Sequence, residues 1–287
     1  MGQIAGNNIT DDGRAFVERS LLPFLSGGIR IIIPALGKLA TWTESYQKRS
    51  QQAPAKLTQE KTITLSPPPT GSWSEHRARE LLTKYNIPTI PATLAITAEQ
   101  AVQAAQTMGY PVALKIVSPD ILHKSDIGGV RLNIGNVAGV REAFAQIMEA
   151  ARAITPTPQI EGILVSPMRS SGVELLVGVT RDDSWGQVLA VGLGSVWVEI
   201  LKDTRLRVLP VSQTEIRTML TELQGARLLQ GARGTQAADI DALVEVIARI
   251  AELAQGLKAD LESLEINPLW VNGAQIEALD AVITWQK

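Results

Sequence analysis

The stretch from Glu262 to Ile283, ESLEINPLWVNGAQIEALDAVI, constrains the fold more tightly than any other. Two strand-like runs flank Asn272-Gly273, a pair suited to a two-residue hairpin turn because both central positions need positive φ. Side chains alternate along a strand, so Leu264 and Ile266 share one face while Glu265 and Asn267 share the other. A turn at 272–273 sets Val271 opposite Ala274. Counting back puts Glu265 opposite Asp280 and Asn267 opposite Ala278. Leu279, Ala281 and Ile283 then fall on the side of Leu264 and Ile266. A four-residue loop would keep this parity, and a three-residue loop would break it. The expectation is a hairpin with one apolar face and one face carrying the oxygens of Glu265, Asn267 and Asp280. Two acids facing each other without a cation repel, and hard oxygen donors suit Mg²⁺ delivered with a nucleotide. A solvated polar face is the alternative reading.

A hairpin needs partners, and the region from Trp73 onward supplies them. SEHRARELLTKYNI reads as a helix capped by Ser74. Thr97 and Gln100 form a capping box for EQAVQAAQTMG, which Gly109 ends. YPVALKIV and VRLNI read as strands, and VAGVREAFAQIMEAARAI as a helix by its apolar spacing. ILVSPM, VELLVGVTR and QVLAVGLG read as three more strands. Helices are predicted at 213–223 and 239–257. Hairpins mixed with helices, rather than strict strand–helix alternation, indicate an α+β fold.

The first 50 residues read differently: a polar start, FVERSLLPFL, then GGIRIII, then PALGKLATWTESYQKR. The pattern predicts helix, short buried strand and helix, too little to close a core alone. Residues 51–72 end in three prolines and read as a linker with a stiff end. The organisation expected is an arm at 1–50, a linker at 51–72 and one domain at 73–287.

Two further constellations carry chemistry. Lys115 sits inside the apolar run YPVALKIV. Two readings are open: a lysine snorkelling from an edge strand, or one aimed into a site. The loop SPDILHKSDIGG then crowds His123, Lys124, Ser125 and Asp126 before Gly128-Gly129. Such a loop is either a solvated turn begun by Ser118 or an anion nest of backbone N–H groups beside a nucleophilic imidazole, with Lys124 to neutralise phosphate. Lys115 and the nest for phosphates, the hairpin oxygens for Mg²⁺ and His123 as a phosphoryl acceptor would together make one site for phosphoryl transfer.

Several classes are excluded. The chain has no cysteine, which removes disulfides, thiolate metal sites and a cysteine nucleophile. Only two histidines leave no His-rich metal centre. A formal net charge of −2 gives no sign of a nucleic-acid or anionic-membrane partner. No uncharged run reaches the roughly 20 residues needed to span a bilayer, so a cytoplasmic protein is expected.

YPVALKIVSPDILHKSDIGGVRLNI, GVELLVGVTRDDSWGQVLAVGLGSVWVEILKD, ARLLQGARG and LESLEINPLWV…ALDA, in this order over about 75–285, resemble the ATP-grasp part of NDP-forming acyl-CoA synthetases. These are the ADP-forming acetate–CoA ligases, related to succinyl-CoA synthetase. The resemblance implies an ATP-grasp fold, with ATP or ADP and Mg²⁺ held between two α+β lobes. It implies the reaction acyl-CoA + ADP + phosphate = acid + CoA + ATP, through a phosphohistidine. It makes Lys115 the phosphate-binding lysine and lays Gly128, Gly129 and Val130 over the phosphates. ILVSPM, ending at Met168, becomes the strand that meets adenine through its backbone, and Glu174 lies in the nucleotide cleft. Asn267 and Asp280 match the Mg²⁺ ligands. Glu265 beside them joins His123, which matches a second phosphoryl-accepting histidine, in the catalytic set. Arg205 and Arg233 lie in family motifs, and the family's Gly-Leu-Gly-Gly reads Gly192-Leu193-Gly194-Ser195 here. Residues 10–50 resemble the tail of a preceding domain. A CoA-binding alpha-type partner, or fused domains, is therefore expected, giving a hetero-oligomer. A non-catalytic regulatory or assembly subunit that keeps the fold is the alternative.

Overall fold

The structure is a computed structural model. It describes residues 62–67, 69–121, 123–194, 203–231 and 235–286, together with residues 12, 15, 19, 30, 32–40 and 43. Ser195 and Arg233 lie outside the described residues. The chain divides into two compact units, Met1–Gln59 and Glu60–Lys287.

In the first unit, residues 32–40 are helical, and so is Arg30. The short strand expected in GGIRIII is therefore replaced by helix at Arg30, Ile32 and Ile33. A brief isoleucine run has no period of its own that separates strand from helix. Here it continues into Leu36 and Leu39, three positions apart, so the run belongs to a helical repeat.

The second unit holds two antiparallel sheets. β1 (Ser72–Trp73) is followed by helix α1 (Glu75–Lys84), β2 (Thr93–Ala95), α2 (Ala98–Met108), β3 (Val112–Val117), β4 (Val130–Ile134) and α3 (Val137–Arg152). Then come β5 (Gly162–Pro167), β6 (Val173–Asp182), β7 (Gly186–Leu193), β8 (Thr204–Val208), α4 (Gln213–Glu222) and α5 (Ile240–Leu257). The chain closes with β9 (Leu261–Asn272), β10 (Gln275–Ala278) and β11 (Ala281–Trp285). The smaller sheet runs β2-β5-β3-β4; the larger runs β1-β11-β9-β6-β7-β8, with β10 also on β9. Among the described residues every strand pair within these sheets is antiparallel, as an α+β fold requires.

Each sheet has its own core. In the smaller lobe, Val112, Leu114, Ile116, Ile163 and Val165 pack with Ala101, Ala105, Val140 and Ile147 of α2 and α3. In the larger lobe, Leu175, Val177, Val179, Leu264, Ile266 and Ile283 pack with Ile247, Ile250 and Ala254 of α5. A fully buried Leu or Ile contributes about 1.5–3 kcal/mol, so period-2 strands against period-3.6 helices fix both lobes. Part of the expected linker belongs to this unit: Ile63 and Leu65 pack against the larger core, and the Ile63 N–H donates to Gly256 O at 2.8 Å.

Helix starts follow local chemistry with two departures. Thr97 accepts from the Gln100 N–H, but the Gln100 side chain accepts from the N–H of Ile96, one residue earlier than a capping box requires. Ser74 sits at the N-cap position of α1, yet its hydroxyl donates to Glu161 Oε2 at 2.7 Å, tying the helix start to the residue before β5.

Candidate functional site

Strand β3 is interior, between β5 and β4. Lys115 is therefore not an edge lysine, and the snorkelling reading falls. Leu114 and Ile116 point into the small-lobe core, so the intervening Lys115 projects from the opposite face. Its Nζ donates to Leu279 O at 2.8 Å and to Asp280 Oδ2 at 3.3 Å. A residue of one sheet thus reaches the turn between β10 and β11 of the other.

The alternation holds at 264–267 and 281–283, but Ala278, expected on the polar face, is buried while Leu279 is half-buried, and the register lies two residues from the expected one. Val271 faces Ile276, Trp270 faces Glu277, Glu265 faces Val282 and Ile266 faces Ala281. The Asn267 N–H donates to Asp280 O at 3.2 Å, so Asp280 is beside Asn267 rather than opposite Glu265. The turn falls at Gly273-Ala274 because neighbouring chain holds it: Gly273 O accepts from the Asp239 N–H at 2.8 Å, and Asn272 Oδ1 accepts from the Gln236 N–H. Leu264, Ile266, Ala281 and Ile283 are buried, whereas Glu265 is exposed and Asn267 and Asp280 are half-buried. The Asn267 amide donates to Glu265 Oε1 at 3.3 Å.

Sequence reasoning missed the centre of the site. Glu75, at the start of α1, and Lys124, read as a lysine of a phosphate loop, are both buried. The Lys124 ammonium donates to Glu75 Oε2 and to both oxygens of Asp280, at 3.0 and 3.1 Å. Lys115 Nζ lies 3.7 Å from Glu75 Oε1, a buried atom without a hydrogen bond. One turn further along α1, the buried Arg79 donates to Ile90 O and Ala278 O. Two lysines and two carboxylates thus form a neutral quartet between the lobes. The signal lay in α1, where Glu75 and Arg79 share the helical stripe of the buried Ala78 and Leu82: charges on an apolar face need partners.

The electrostatics follow from burial and pairing. Burial pushes the Glu75 carboxyl above its ordinary value, and the Asp280 charge adds to this against the pull of both lysines. Burial pushes Asp280 the same way, but Lys115 and Lys124 win and hold it at about 2. Burial would lower the Lys124 ammonium, yet Glu75 and Asp280 raise it. Burial lowers Arg79, opposed by Glu75, Asp280 and Glu277.

The loop preceding β4 is a compact turn rather than an open nest. The Gly128 N–H donates to Ser125 O at 3.1 Å and the Gly129 N–H to Lys124 O at 2.8 Å, so both amides are used inside the loop. Gly128 has φ +69°, and a Cβ on Gly129 would stand 2.6 Å from Ile116 Cγ2. Val130 opens β4 opposite Lys115. Ser118 Oγ accepts from the Asp120 N–H at 3.1 Å, the turn expected of SPD. His123 is exposed beside the buried Lys124. Met168 follows β5, with its N–H donating to Pro111 O at 3.0 Å, and Glu174 is half-buried on β6 with its carbonyl accepting from the Gly194 N–H at 2.7 Å. Arg205 donates to Glu222 O and pairs with the buried Asp203 at 3.3 Å.

Among the described residues no group of three or more His, Asp or Glu could hold a metal ion by itself. The donors still fit Mg²⁺, which is commonly bound by one or two carboxylates plus nucleotide phosphates; Asp280, with Asn267 beside it, is the carboxylate available. Among the described residues no helix is long and apolar enough to cross a membrane.

Residues 69–285 match the model of the ATP-grasp domain. The beta subunit of acetate–CoA ligase [ADP-forming] I from Pyrococcus furiosus is 40% identical over 207 residues, 72% of this chain and 89% of that protein. The chain belongs to the ATP-grasp family of ADP-forming acyl-CoA synthetases. Its fold matches acetyl-coenzyme A synthetase 1 of Ca. Korarchaeum cryptofilum in complex with coenzyme A and Ca-AMPCP, with TM-score 0.71 and 36% identity, covering 75% of this chain and 94% of that one. The same synthetase with coenzyme A and Mg-AMPPCP, its phosphohistidine segment pointing towards the nucleotide binding site, gives TM-score 0.64 and 33% identity, covering 75% and 93%. In this ATP-grasp chain the quartet of Glu75, Lys115, Lys124 and Asp280 lies where the two lobes meet.

Proposed function

We propose that the chain is the nucleotide-binding subunit of an ADP-forming acid–CoA ligase, working with a CoA-binding alpha-type partner. The observation that carries this reading is the placement of Lys115, a cation from an interior strand of one lobe, on Asp280 of the other. Lys115 neutralises nucleotide phosphates, while Gly128, Gly129 and Val130 give the loop beside them its tight shape. Met168, just past β5, and Glu174, on β6, would border the base and the cleft. Asp280 and Asn267 hold Mg²⁺, whose chemistry when bound is to neutralise charge on the phosphates. Glu265 shares that face and hydrogen-bonds Asn267, orienting its amide.

In the direction of ATP breakdown, a neutral imidazole nitrogen of His123 takes the γ-phosphoryl group. The P–N bond forms as the bond from phosphorus to the β-phosphate bridging oxygen breaks, and ADP leaves with that electron pair. The phosphoryl group then passes to the partner, and the reverse sequence makes ATP. His123 is exposed at the loop surface, a position from which a second protein can collect the group.

The test is labelling with γ-phosphate-labelled ATP and Mg²⁺. Wild type is expected to acquire acid-labile label and His123→Ala to lose it. Equal labelling of the two removes the acceptor role, and calorimetry without ATP affinity removes the nucleotide role.

A further inference from the structure

Glu75 is the member of the quartet without an assigned task. It is 2% exposed, and Oε1 makes no hydrogen bond. Lys124 is shared: its ammonium touches Glu75 and both Asp280 oxygens at once. Lys115 has an independent acceptor in Leu279 O, which Lys124 lacks. Asp280 already accepts three ammonium contacts, one from Lys115 and two from Lys124, so a cation taking its oxygens competes with Lys124 for them. When Asp280 is taken, Lys124 needs another anion, because an unpaired buried charge is strongly unfavourable. The only carboxylate besides Asp280 that contacts it among the described residues is Glu75, whose second oxygen makes no hydrogen bond and lies 3.7 Å from Lys115.

Lys124 is also the residue after His123. Its carbonyl closes the loop by accepting the Gly129 N–H at 2.8 Å, and Gly129 O in turn accepts from the Ile116 N–H at 2.8 Å on β3. Loss of the Lys124 anchor would therefore loosen the segment that presents His123, whose far end stays tied by Arg131 to Gly128 O at 2.6 Å.

We propose that Glu75 is a positioning residue: it is the fixed counter-anion that keeps Lys124, and through it the His123 loop, docked when Asp280 is engaged by a nucleotide-bound cation. The proposal rests on the functional reading above. Its structural half is independent of that reading, since any loss of the Asp280 charge should throw Lys124 onto Glu75.

Hydrogen exchange at the Gly128 and Gly129 amides reads the docking directly, without turnover. Asp280→Asn and Glu75→Gln each leave one anion for Lys124, so each single variant is expected to keep these amides protected within about threefold of wild type. The double variant leaves none and is expected to exchange at least about tenfold faster, a strong coupling between neighbours. Lys124→Met removes the cation itself and is expected to expose the loop in either background, which separates anchoring from general unfolding when α5 amides stay protected. With Mg²⁺ and a non-hydrolysable ATP analogue, Glu75→Gln alone is expected to expose the loop, while wild type stays closed. Transfer of label to His123 should then fall about tenfold or more with analogue affinity kept within about threefold, and Glu75→Asp should recover part of the rate. Equal exchange in single and double variants overturns the proposal. Strong coupling in the variants together with wild type that binds no analogue keeps the anchoring role and overturns the nucleotide reading instead.

Discussion

Lys124 Nζ stands 3.0 Å from Asp280 Oδ1, joining residues 156 positions apart. The contact is made across the junction of the two lobes, beside the Lys115–Asp280 pair at 3.3 Å. The quartet therefore ties lobe closure to charge balance, and most consequences can be read from removing one charge at a time.

Lys115→Met is the clearest case for ligand binding. The substitution keeps the unbranched stem against β3 and removes the ammonium, while Lys124 still pairs with Asp280. Folding should be weakened only partly, because Lys124 remains but must then balance both Asp280 and Glu75. ATP affinity should fall about tenfold or more, the loss of a charge-assisted phosphate contact. Calorimetry beside a thermal melt checks both. Unchanged affinity would separate Lys115 from the phosphates.

Asp280→Asn tests the acid limb of stability. The folded value near 2 is below the ordinary 3.8, so the carboxylate contributes stability that is fully present above pH 3.8 and lost as pH falls through 2. The shift corresponds to on the order of 2 kcal/mol. Urea unfolding should show wild type ahead of Asp280→Asn by about that much near neutral pH, with the gap closing toward pH 2. Glu75 works in the opposite sense: its raised value means that burial of its charge costs stability at neutral pH and is relieved by protonation as pH falls. A gap that widens on acidification would contradict the assignment to Asp280.

Gly129→Ala probes the shape of the loop. The added methyl would stand 2.6 Å from Ile116 Cγ2 and 2.9 Å from Lys124 O, and one of these contacts is to backbone. Ile116 is fully buried, so it has little room to give. The expected cost is about 1–3 kcal/mol, together with faster exchange at residues 123–129. A variant as stable as wild type would mean that the loop is looser than its hydrogen bonds suggest.

The sequence carried the fold through periodicity. Leu264 and Ile266 against Glu265 and Asn267 gave the faces of the middle of β9 correctly, since parity survives a two-residue offset, but beyond Ile266 the buried side passes to Leu269 and Val271. The offset itself was set by Gln236 and Asp239, which hold Asn272 and Gly273 from outside the hairpin, and no local rule reports a distant docking contact. Lys115 was conspicuous because a cation in an apolar strand demands a reason. Lys124 was read as a lysine for phosphate rather than as a buried anchor, and Glu75 drew no notice, because a glutamate in the first helical turn needs no explanation beyond the helix dipole. Their burial is a property of the assembled lobes. The same holds for Gly128-Gly129: the pair signalled a special turn, but only the folded loop showed its amides spent on Ser125 and Lys124 carbonyls.

Asp203 offers a last test, on stability away from the quartet. Its side chain is buried before β8, and its two oxygens accept from the N–H groups of Gln224 and Gly225, each at 2.9 Å. Arg205 pairs with it at 3.3 Å and also donates to Glu222 O, fastening the end of α4 to the larger sheet. Asp203→Ala leaves two amides without their acceptor and Arg205 without its carboxylate, which is expected to cost about 2–4 kcal/mol. Asp203→Asn keeps one acceptor oxygen and should lose less. Arg205→Lys, with no fork to span both partners, should fall below wild type by about 1 kcal/mol or less, because Arg205 is partly exposed and its bond to Asp203 is charge-screened. Urea unfolding of the three variants gives the order Asp203→Ala, then Asp203→Asn, then Arg205→Lys. If Arg205→Lys proved the most damaging, the arginine would be acting beyond this fastening role.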